Sequence, residues 1–389
     1  MSGQETQFKR EPAIHRGDCL KLLADWPAGV ARLVFADPPF NIGYIYKDYD
    51  DARSYRDYVE WSRRWVAAAV RSLTPDGSLY IAIGDDYAAE LRVIGRELGL
   101  TLRNWIIWHY DFGQATSGKF ARAHTHILYF VRDARRFVFN DELLRSPSAR
   151  HTQYGDRRAN PAGRLPDDVW TEYPRVCGTF KERQGWHGCQ MPEALLARII
   201  TASSEPGDVV LDPFSGSGTT AATAVAWGRI GVGIEQSEEF AAAGRKRLRG
   251  ALERAAAWRR PGADGWSEFE RETLRQLYRE TEVALASLLA NAAAMACVAL
   301  NLARRCGREI AVETIAAELG RLDQRHDLPR FRNDRPYRAK RHRLAEATGD
   351  RKLKPAWFRG MSARLKRANE LGQSSDGDGR ATARKRRLG

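Results

Sequence analysis

The chain has 389 residues, with 63 Lys and Arg against 49 Asp and Glu and a formal net charge of +14. That length predicts a catalytic-sized core plus an additional domain, and the positive balance favours a polyanionic partner such as a nucleic acid. The opening stretch MSGQETQFKREPAIHRGD has no apolar signal core, and five irregularly placed cysteines (Cys19, Cys177, Cys189, Cys297, Cys306) do not form a disulfide framework; both argue against secretion, and a cytoplasmic protein is expected.

Residues 1–12 read as a flexible N-terminus. AIHRGD (13–18) and ARLVFA (31–36) read as buried strands, each running into an acid, Asp18 and Asp37, with CLKLLADWP between them as a short amphipathic helix. Ser54 is placed to cap a helix whose Tyr58, Val59, Trp65, Val66, Val70 and Leu73 share one face, and TPDG stops it. SLYIAIGD is a strand and DDYAAELRVIGRELGL a helix. Two further strands, 102–110 and 124–133, enclose the loop DFGQATSGKFARA. Alternating strands and helices predict an α/β fold with a Rossmann-like, doubly wound, mostly parallel sheet, the last pair forming an antiparallel hairpin at its edge.

Periodicity stops across 134–187, a segment rich in Arg, Pro, Gly and aromatic residues, which reads as an irregular insertion. Order returns over 188–250. Pro192 suits a helix start, Leu195, Leu196, Ile199 and Ile200 form its core stripe, and SEPG ends it. DVVLDPF is then a strand, SGSGTT a tight turn, AATAVAWG a helix and RIGVGIE the next strand. After 250 the composition becomes helical and basic to about 372. Within it, 266–305 reads as one long helix or a helical pair. Its Ala-rich stretch 283–303 approaches a membrane span in length, but Ser287, Asn291 and Asn301 favour a buried helix, with a homodimer contact left open. The basic, aromatic-bearing segments beyond it are expected to add DNA-backbone surface, and 373–389 reads as a disordered basic tail.

The turn after DVVLDPF is the first functional signal. Gly216 and Gly218 let the backbone approach a ligand, and Glu235, ending the next strand, is where a carboxylate accepts ribose hydroxyls in a dinucleotide-type half-fold. Taken with HGCQMP just upstream and DPPFN far upstream, DPFSGSGTT resembles the S-adenosylmethionine-dependent amino-group DNA methyltransferases in their permuted β arrangement, over about residues 13–250. The resemblance implies that HRGD, ending in Asp18, faces the cofactor adenine, that DPPF is the catalytic motif and HTHILYFVRD a sheet strand, and that HGCQMP covers the methionine end. It extends cofactor contact to Asp18, Cys19, Asp37, Gln190, Asp212, Phe214, Gly216, Gly218, Thr219 and Glu235. Two positions depart from the family pattern: Gly188 and Met191 stand where Pro and Lys are usual, and Phe40 stands where Tyr is more usual.

The catalytic set implied is Asp37, Pro38, Pro39 and Phe40. An exocyclic amine on a nucleobase is a poor nucleophile because its lone pair is delocalised into the ring. Hydrogen bonds accepted by the Asp37 carboxylate and the Pro38 carbonyl pull that nitrogen toward a tetrahedral form, the two prolines fix the backbone, and Phe40 stacks on the base. With a carboxylate near its ordinary value of about 4, Asp37 orients and polarises, taking the proton only as the N–C bond forms. The target base must be turned out of the duplex to reach it.

Sequence reading is assigned to the insertion and the 111–123 loop. Lys119, Arg122, Arg157, Arg158, Arg164, Arg175, Lys181 and Arg183 are the candidate contacts to double-stranded DNA, and Trp170, Tyr173 and Trp186 are candidates to wedge or stack. Cys177, His187 and Cys189 lack a C-x-x-C pair and a fourth ligand, so no metal is expected. The resemblance implies adenine N6 as the target, since an Asp-led motif is commoner in members of that family acting on adenine, with cytosine N4 the close alternative. An RNA or small-molecule methyltransferase and a DNA-binding protein without catalysis are the weaker alternatives. A cognate restriction endonuclease remains open as a partner, and no membrane is expected.

Overall fold

The computed structural model describes residues 8–43, 51–114, 117–152, 154, 156–178 and 180–331; the basic segments after 331, including the expected tail, lie outside them. Eight strands form one sheet among the described residues: β1 (Ala13–Arg16), β2 (Ala31–Ala36), β3 (Leu73–Ile83), β4 (Thr101–Gln114), β5 (Arg122–Val131), β6 (Val169–Trp170), β7 (Val209–Asp212) and β8 (Ile230–Glu235), in the order β1-β8-β7-β2-β3-β5-β4-β6. β1, β8, β7, β2 and β3 run parallel, whereas β5 pairs antiparallel with both β3 and β4. The expected α/β sheet and its antiparallel pair are both present. That pair does not end the sheet. The insertion contributes β6, which joins β4 in parallel through Ile107 opposite Val169 and Trp108 opposite Trp170.

Helices cover both faces because the central strands are apolar on both. Along β3, Leu79, Ile81 and Ile83 pack with α1 (Cys19–Asp25), α2 (Tyr55–Ser72) and α3 (Ala88–Glu97), while Tyr80 and Ala82 pack toward α5 (Glu193–Ser203). The α2 stripe is wider than its spacing predicted: Trp61 is buried beside Tyr58 and Trp65, whereas Val59 and Val70 are only partly covered. Between Ala31 and Leu33 the β2–β3 register jumps from Leu73 to Ser78, so TPDG bulges out where α2 passes into β3.

The insertion carries little regular structure, a short α4 (Ala149–Thr152), one 3-10 turn (Asp141–Leu143) and β6. The glycine turn after β7 leads into α6 (Thr219–Ala226), and beyond β8, α7 (Glu238–Trp258) runs unbroken across position 250. The stretch 266–305 is neither one helix nor a simple pair. Left-handed Glu282 (φ 51°) stops α8 (Glu268–Thr281), α9 (Leu285–Leu289) is one short turn, and Asn291 caps α10 (Ala292–Cys306) by accepting the Ala294 N–H at 3.0 Å. The apolar face of α10 is buried within the same chain against α8 and α11 (Val312–Gln324), through Leu274, Leu277, Val298, Leu302, Ile315 and Leu319. No described helix is long and apolar enough to cross a membrane.

A buried ionic chain joins these helices to the insertion. Arg198 of α5 lies 2.6 Å from Glu172 and 3.4 Å from Glu280 of α8, and Glu280 lies 2.7 Å from Arg305 of α10. None of the four side chains exceeds 9% exposure. Neutral bonds reinforce the chain: Asn301 donates to the Ala162 carbonyl and Asn291 to the Thr152 carbonyl, both at 2.9 Å. Removing one partner of such a cluster leaves its neighbours charged and desolvated. Glu280→Ala is therefore expected to lower stability by about 3–5 kcal/mol, read as a lower urea midpoint; a midpoint within error of the parent protein would show that the cluster contributes little.

Candidate active site

A cavity of about 380 Å³ opens where the parallel strands end. β2 and β7 are direct neighbours, with Leu33 opposite Val210 and Val34 opposite Leu211. On one side of this boundary the chain moves from β7 to β8 and on the other from β2 to β3, which makes it the switch point where an open α/β sheet binds its ligands. DPPF and DPF, far apart in the chain, are consequently brought to one crevice.

The diproline corner is tied down by its surroundings. The Tyr58 hydroxyl of α2 donates to the Pro39 carbonyl at 2.6 Å, leaving the Pro38 carbonyl outside that bond. Asn41 is left-handed (φ 57°) and acts as a knot: its N–H donates to Asp51 at 2.8 Å, its amide donates to the Arg53 carbonyl at 3.0 Å and the Tyr87 hydroxyl at 2.7 Å, and it accepts the Arg53 N–H at 2.8 Å. The ring of Phe40 lies over Gly84, where an added Cβ would sit 3.3 Å from Cδ2.

On the β7 side, Asp212 is 3% exposed and accepts the Phe214 N–H at 2.9 Å. Phe214 is buttressed by Trp61 and Trp65, with ring centroids 5.7 and 5.2 Å away. The Glu235 carboxylate fastens the glycine turn to the sheet by accepting the Gly216 N–H at 2.8 Å and the Ser237 N–H at 2.9 Å. Gly216 has φ 47°, and a side chain there would meet the His187 ring at 2.9 Å.

Most of the predicted site residues line this cavity: Asp18, Cys19, Asp37, Pro38, Pro39, Phe40, Gln190, Asp212, Phe214, Gly216, Thr219 and Glu235. Several have other commitments. Asp18 caps α1 by accepting the Leu20 N–H at 2.8 Å, Gln190 is bonded to the 182–184 turn through both ends of its amide, and the Thr219 hydroxyl is held by Ser217 and Arg247. Gly218 stands apart from the lining. Its positive φ of 71° starts α6, and its missing side chain lets Ile14 and Gly244 pack closely.

Of the candidate DNA contacts, Arg122 and Arg175 line the cavity; Arg122 pairs with Asp85 at 2.8 Å, and Arg175 lies over the Tyr110 ring at 5.0 Å. Lys119 and Arg157 are exposed. Arg158 pairs with Asp156, Arg164 with Asp167, Lys181 with Asp327, and Arg183 donates to the Gly178 carbonyl. Trp170 and Tyr173 are not free to wedge into DNA. They are 6% and 0% exposed, packed under the Arg198 guanidinium at 5.0 and 4.7 Å. Trp186 is half-buried against Phe240.

His187 was expected near the cofactor only as part of HGCQMP, and Phe240 carries no motif in the sequence. His187 and Phe240 line the cavity. The His187 Nδ1 accepts the Cys189 N–H at 3.3 Å, and burial followed by the nearby Arg247 holds its ring down at about 4, so it is neutral. Among the described residues no group of three His, Cys, Asp or Glu is placed to hold a metal ion.

Asp37 departs from the expectation of an ordinary carboxyl. Burial and then repulsion by Asp212 push it up to about 8. Asp212 is itself pushed up to about 7, chiefly by burial and also by Glu235, against the bonds from Thr220 and Phe214. Two acids held so close in a desolvated wall suit a cation, and the adjoining glycine turn and Glu235 suit a nucleoside. The buried Ser215 and Ser237 hydroxyls beside them have no hydrogen-bond partner among the described residues. These residues fit S-adenosylmethionine, whose sulfonium is complementary to the acids and whose ribose is complementary to Glu235. The fold and this crevice define a nucleoside-cofactor methyltransferase.

A family model described as DNA methylase, of the N6/N4 methyltransferases, matches residues 31–246. The chain is 36% identical over 254 residues to DNA adenine methyltransferase YhdJ of Escherichia coli (strain K12), spanning 63% of this chain and 85% of that protein. It is 33% identical over 232 residues to type II methyltransferase M.HpaI of Haemophilus parainfluenzae, spanning 59% and 72%. Among solved structures, a DNA modification methylase of Thermus thermophilus in complex with S-adenosyl-L-methionine is similar at 24% identity over 62% of this chain and 96% of that one, with a TM-score of 0.44. The chain belongs to the N6/N4 DNA methylase family, and its cofactor is S-adenosylmethionine.

The raised carboxyls have a measurable consequence. Their folded-state values lie above the ordinary ones, so their contribution to stability is present at acid pH and is lost as pH rises through about 7 to 8. A bound cation favours the ionised forms. Cofactor binding at about pH 6 should therefore release on the order of one proton, and above about pH 9 none. Calorimetry in two buffers of different ionisation enthalpy checks this; an enthalpy independent of buffer at about pH 6 would contradict the assignment.

Proposed function

We propose that this DNA methylase modifies the exocyclic N6 amine of adenine in double-stranded DNA, at a specific sequence, on a base turned out of the helix. The observation that carries this reading is the lining of one cavity by both the Asp37–Phe40 corner and the Asp212–Glu235 cofactor wall. The Asp-led motif and the relative named as a DNA adenine methyltransferase favour adenine.

S-adenosylmethionine, when bound, supplies an electrophilic methyl group. The chain's own residues prepare the nucleophile. Asp37 accepts one amino hydrogen and the Pro38 carbonyl the other, which frees the nitrogen lone pair from the ring. Tyr58 and Asn41 hold the corner still, so that these acceptors need not reorganise during the reaction. Asp37 is a strong acceptor, and can take up a proton, only when ionised. Its high value means that a neighbouring positive charge is what makes it such an acceptor at neutral pH, and that it is basic enough to take up the amino proton as the N–C bond forms. Phe40, resting on Gly84, offers a ring face to the extruded base, which offsets part of the unstacking cost. His187, being neutral, adds no competing charge to the cofactor wall.

The insertion and the 111–123 loop supply backbone and base contacts in this reading, with Arg122 and Arg175 at the cavity itself. The enzyme works in the cytoplasm, alone or beside a restriction endonuclease reading the same site, as a monomer or a homodimer.

Sequencing of DNA from cells expressing the protein, with mass spectrometry of its digested nucleosides, tests the reading. N6-methyladenine at one recurrent sequence is expected; N4-methylcytosine would overturn the choice of base, and unmodified DNA the activity. Asp37→Ala should reduce methyl transfer by about 10²–10⁴-fold while cofactor still binds in calorimetry, and a variant as active as the parent would overturn the role given to Asp37.

A further inference from the structure

The segment joining β4 to β5 carries a side chain that no part of the described protein covers. Phe120 is 98% exposed, against 36–68% for the other exposed large apolar side chains among the described residues. Single exposed apolar residues are ordinary on a protein surface, but the setting of this one is not. Left-handed Gly118 (φ 78°) turns the chain just ahead of it. The residue before it, Lys119, is an exposed cation, and the residue after it, Ala121, is small and exposed, so neither shields the ring. Two and four residues beyond Phe120, Arg122 and His124 line the catalytic cavity, followed by Thr125, so Phe120 stands two residues from the cavity wall on the segment that leads into it. Arg122 is in turn fixed by Asp85 and Asp86 at 2.8 and 3.3 Å, which anchors the base of the loop.

Extruding a base leaves a gap in the stack, and an apolar side chain entering that gap replaces the lost stacking. The free energy of burying one phenyl ring is of the same order as that of unstacking one base. Trp170 and Tyr173 are locked in the interior and are unavailable for this task. We propose that Phe120 is the wedge that enters the duplex at the vacated position, with Lys119 meeting the phosphate beside it. The partner is duplex DNA, selected by the cation next to the tip and by apolar surface at the tip itself. Ala121 adds no bulk on the other side, so the ring can enter a narrow gap. The assignment rests on the base-extrusion reading given above.

The experiment compares Phe120→Ala and Phe120→Trp with the parent on two duplexes carrying the protein's own target sequence, one fully paired and one with the target base opposite an abasic site. Cofactor affinity is measured alongside by calorimetry. On the paired duplex Phe120→Ala should lose about 10- to 100-fold in kcat/KM, while on the unpaired target it should recover to within about 3-fold of the parent, because the work of extrusion has been removed. Phe120→Trp should retain most activity on both, and 2-aminopurine at the target should brighten with the parent and with Trp but much less with Ala. Parent-like activity of Phe120→Ala on the paired duplex would overturn the proposal. So would an equal loss on both duplexes, which would mark Phe120 as a folding or contact residue. Failure of the parent to brighten 2-aminopurine would instead overturn base extrusion itself.

Discussion

The site depends on one unfavourable juxtaposition, two carboxyls at the ends of neighbouring strands that line the same cavity. Asp212 raises the proton affinity of Asp37, and Glu235 does the same to Asp212, on top of what burial does to both. Such a wall persists only where the surrounding structure over-determines it. Here the sheet is buried on both faces, α2 pins the diproline corner through Tyr58, and two tryptophans of the same helix brace Phe214. A cation of the right shape seated against these acids would stabilise the wall. In the reading proposed above, selectivity for the cofactor and activation of Asp37 are therefore one electrostatic effect seen from two sides.

The fold was largely legible in the sequence because its signals are local. The parallel strands β1, β2, β3, β7 and β8 are apolar runs that end at an acid or a glycine, and α2 shows both a stripe and a serine cap; the adjacency of the two acidic corners follows once the sheet is doubly wound. What was not legible was set by distant partners. Trp170 and Tyr173 sit in a stretch with no periodicity, and distant partners, the strand β4 with Trp108 and the guanidinium of Arg198 reaching over from α5, make them interior. The raised carboxyl of Asp37 needed its neighbour's position, since a motif shows the group and not its solvation. His187 was visible in HGCQMP but was weighed as a metal ligand; its nearness to Gly216 is a tertiary fact. The break in 266–305 did have a local signal, Asn291 three residues before Ala294, masked by the alanine-rich composition on either side.

The glycine turn shows how a motif can combine two tasks. Gly216 leaves room beside the His187 ring at the cavity, whereas Gly218, two residues later, lets α6 and α7 approach each other and Ile14. One position faces the cavity and the other the packed interior, although both satisfy the same sequence pattern.

The chain of ions from Glu172 through Arg198 and Glu280 to Arg305 has an implication for how such enzymes diversify. The insertion of this chain is not a detachable cassette: its polar underside is bonded to α8 and α10, encoded more than a hundred positions downstream. Recombination that exchanged the loop alone would strand charges in the interior. A viable hybrid has to inherit both pieces from one parent.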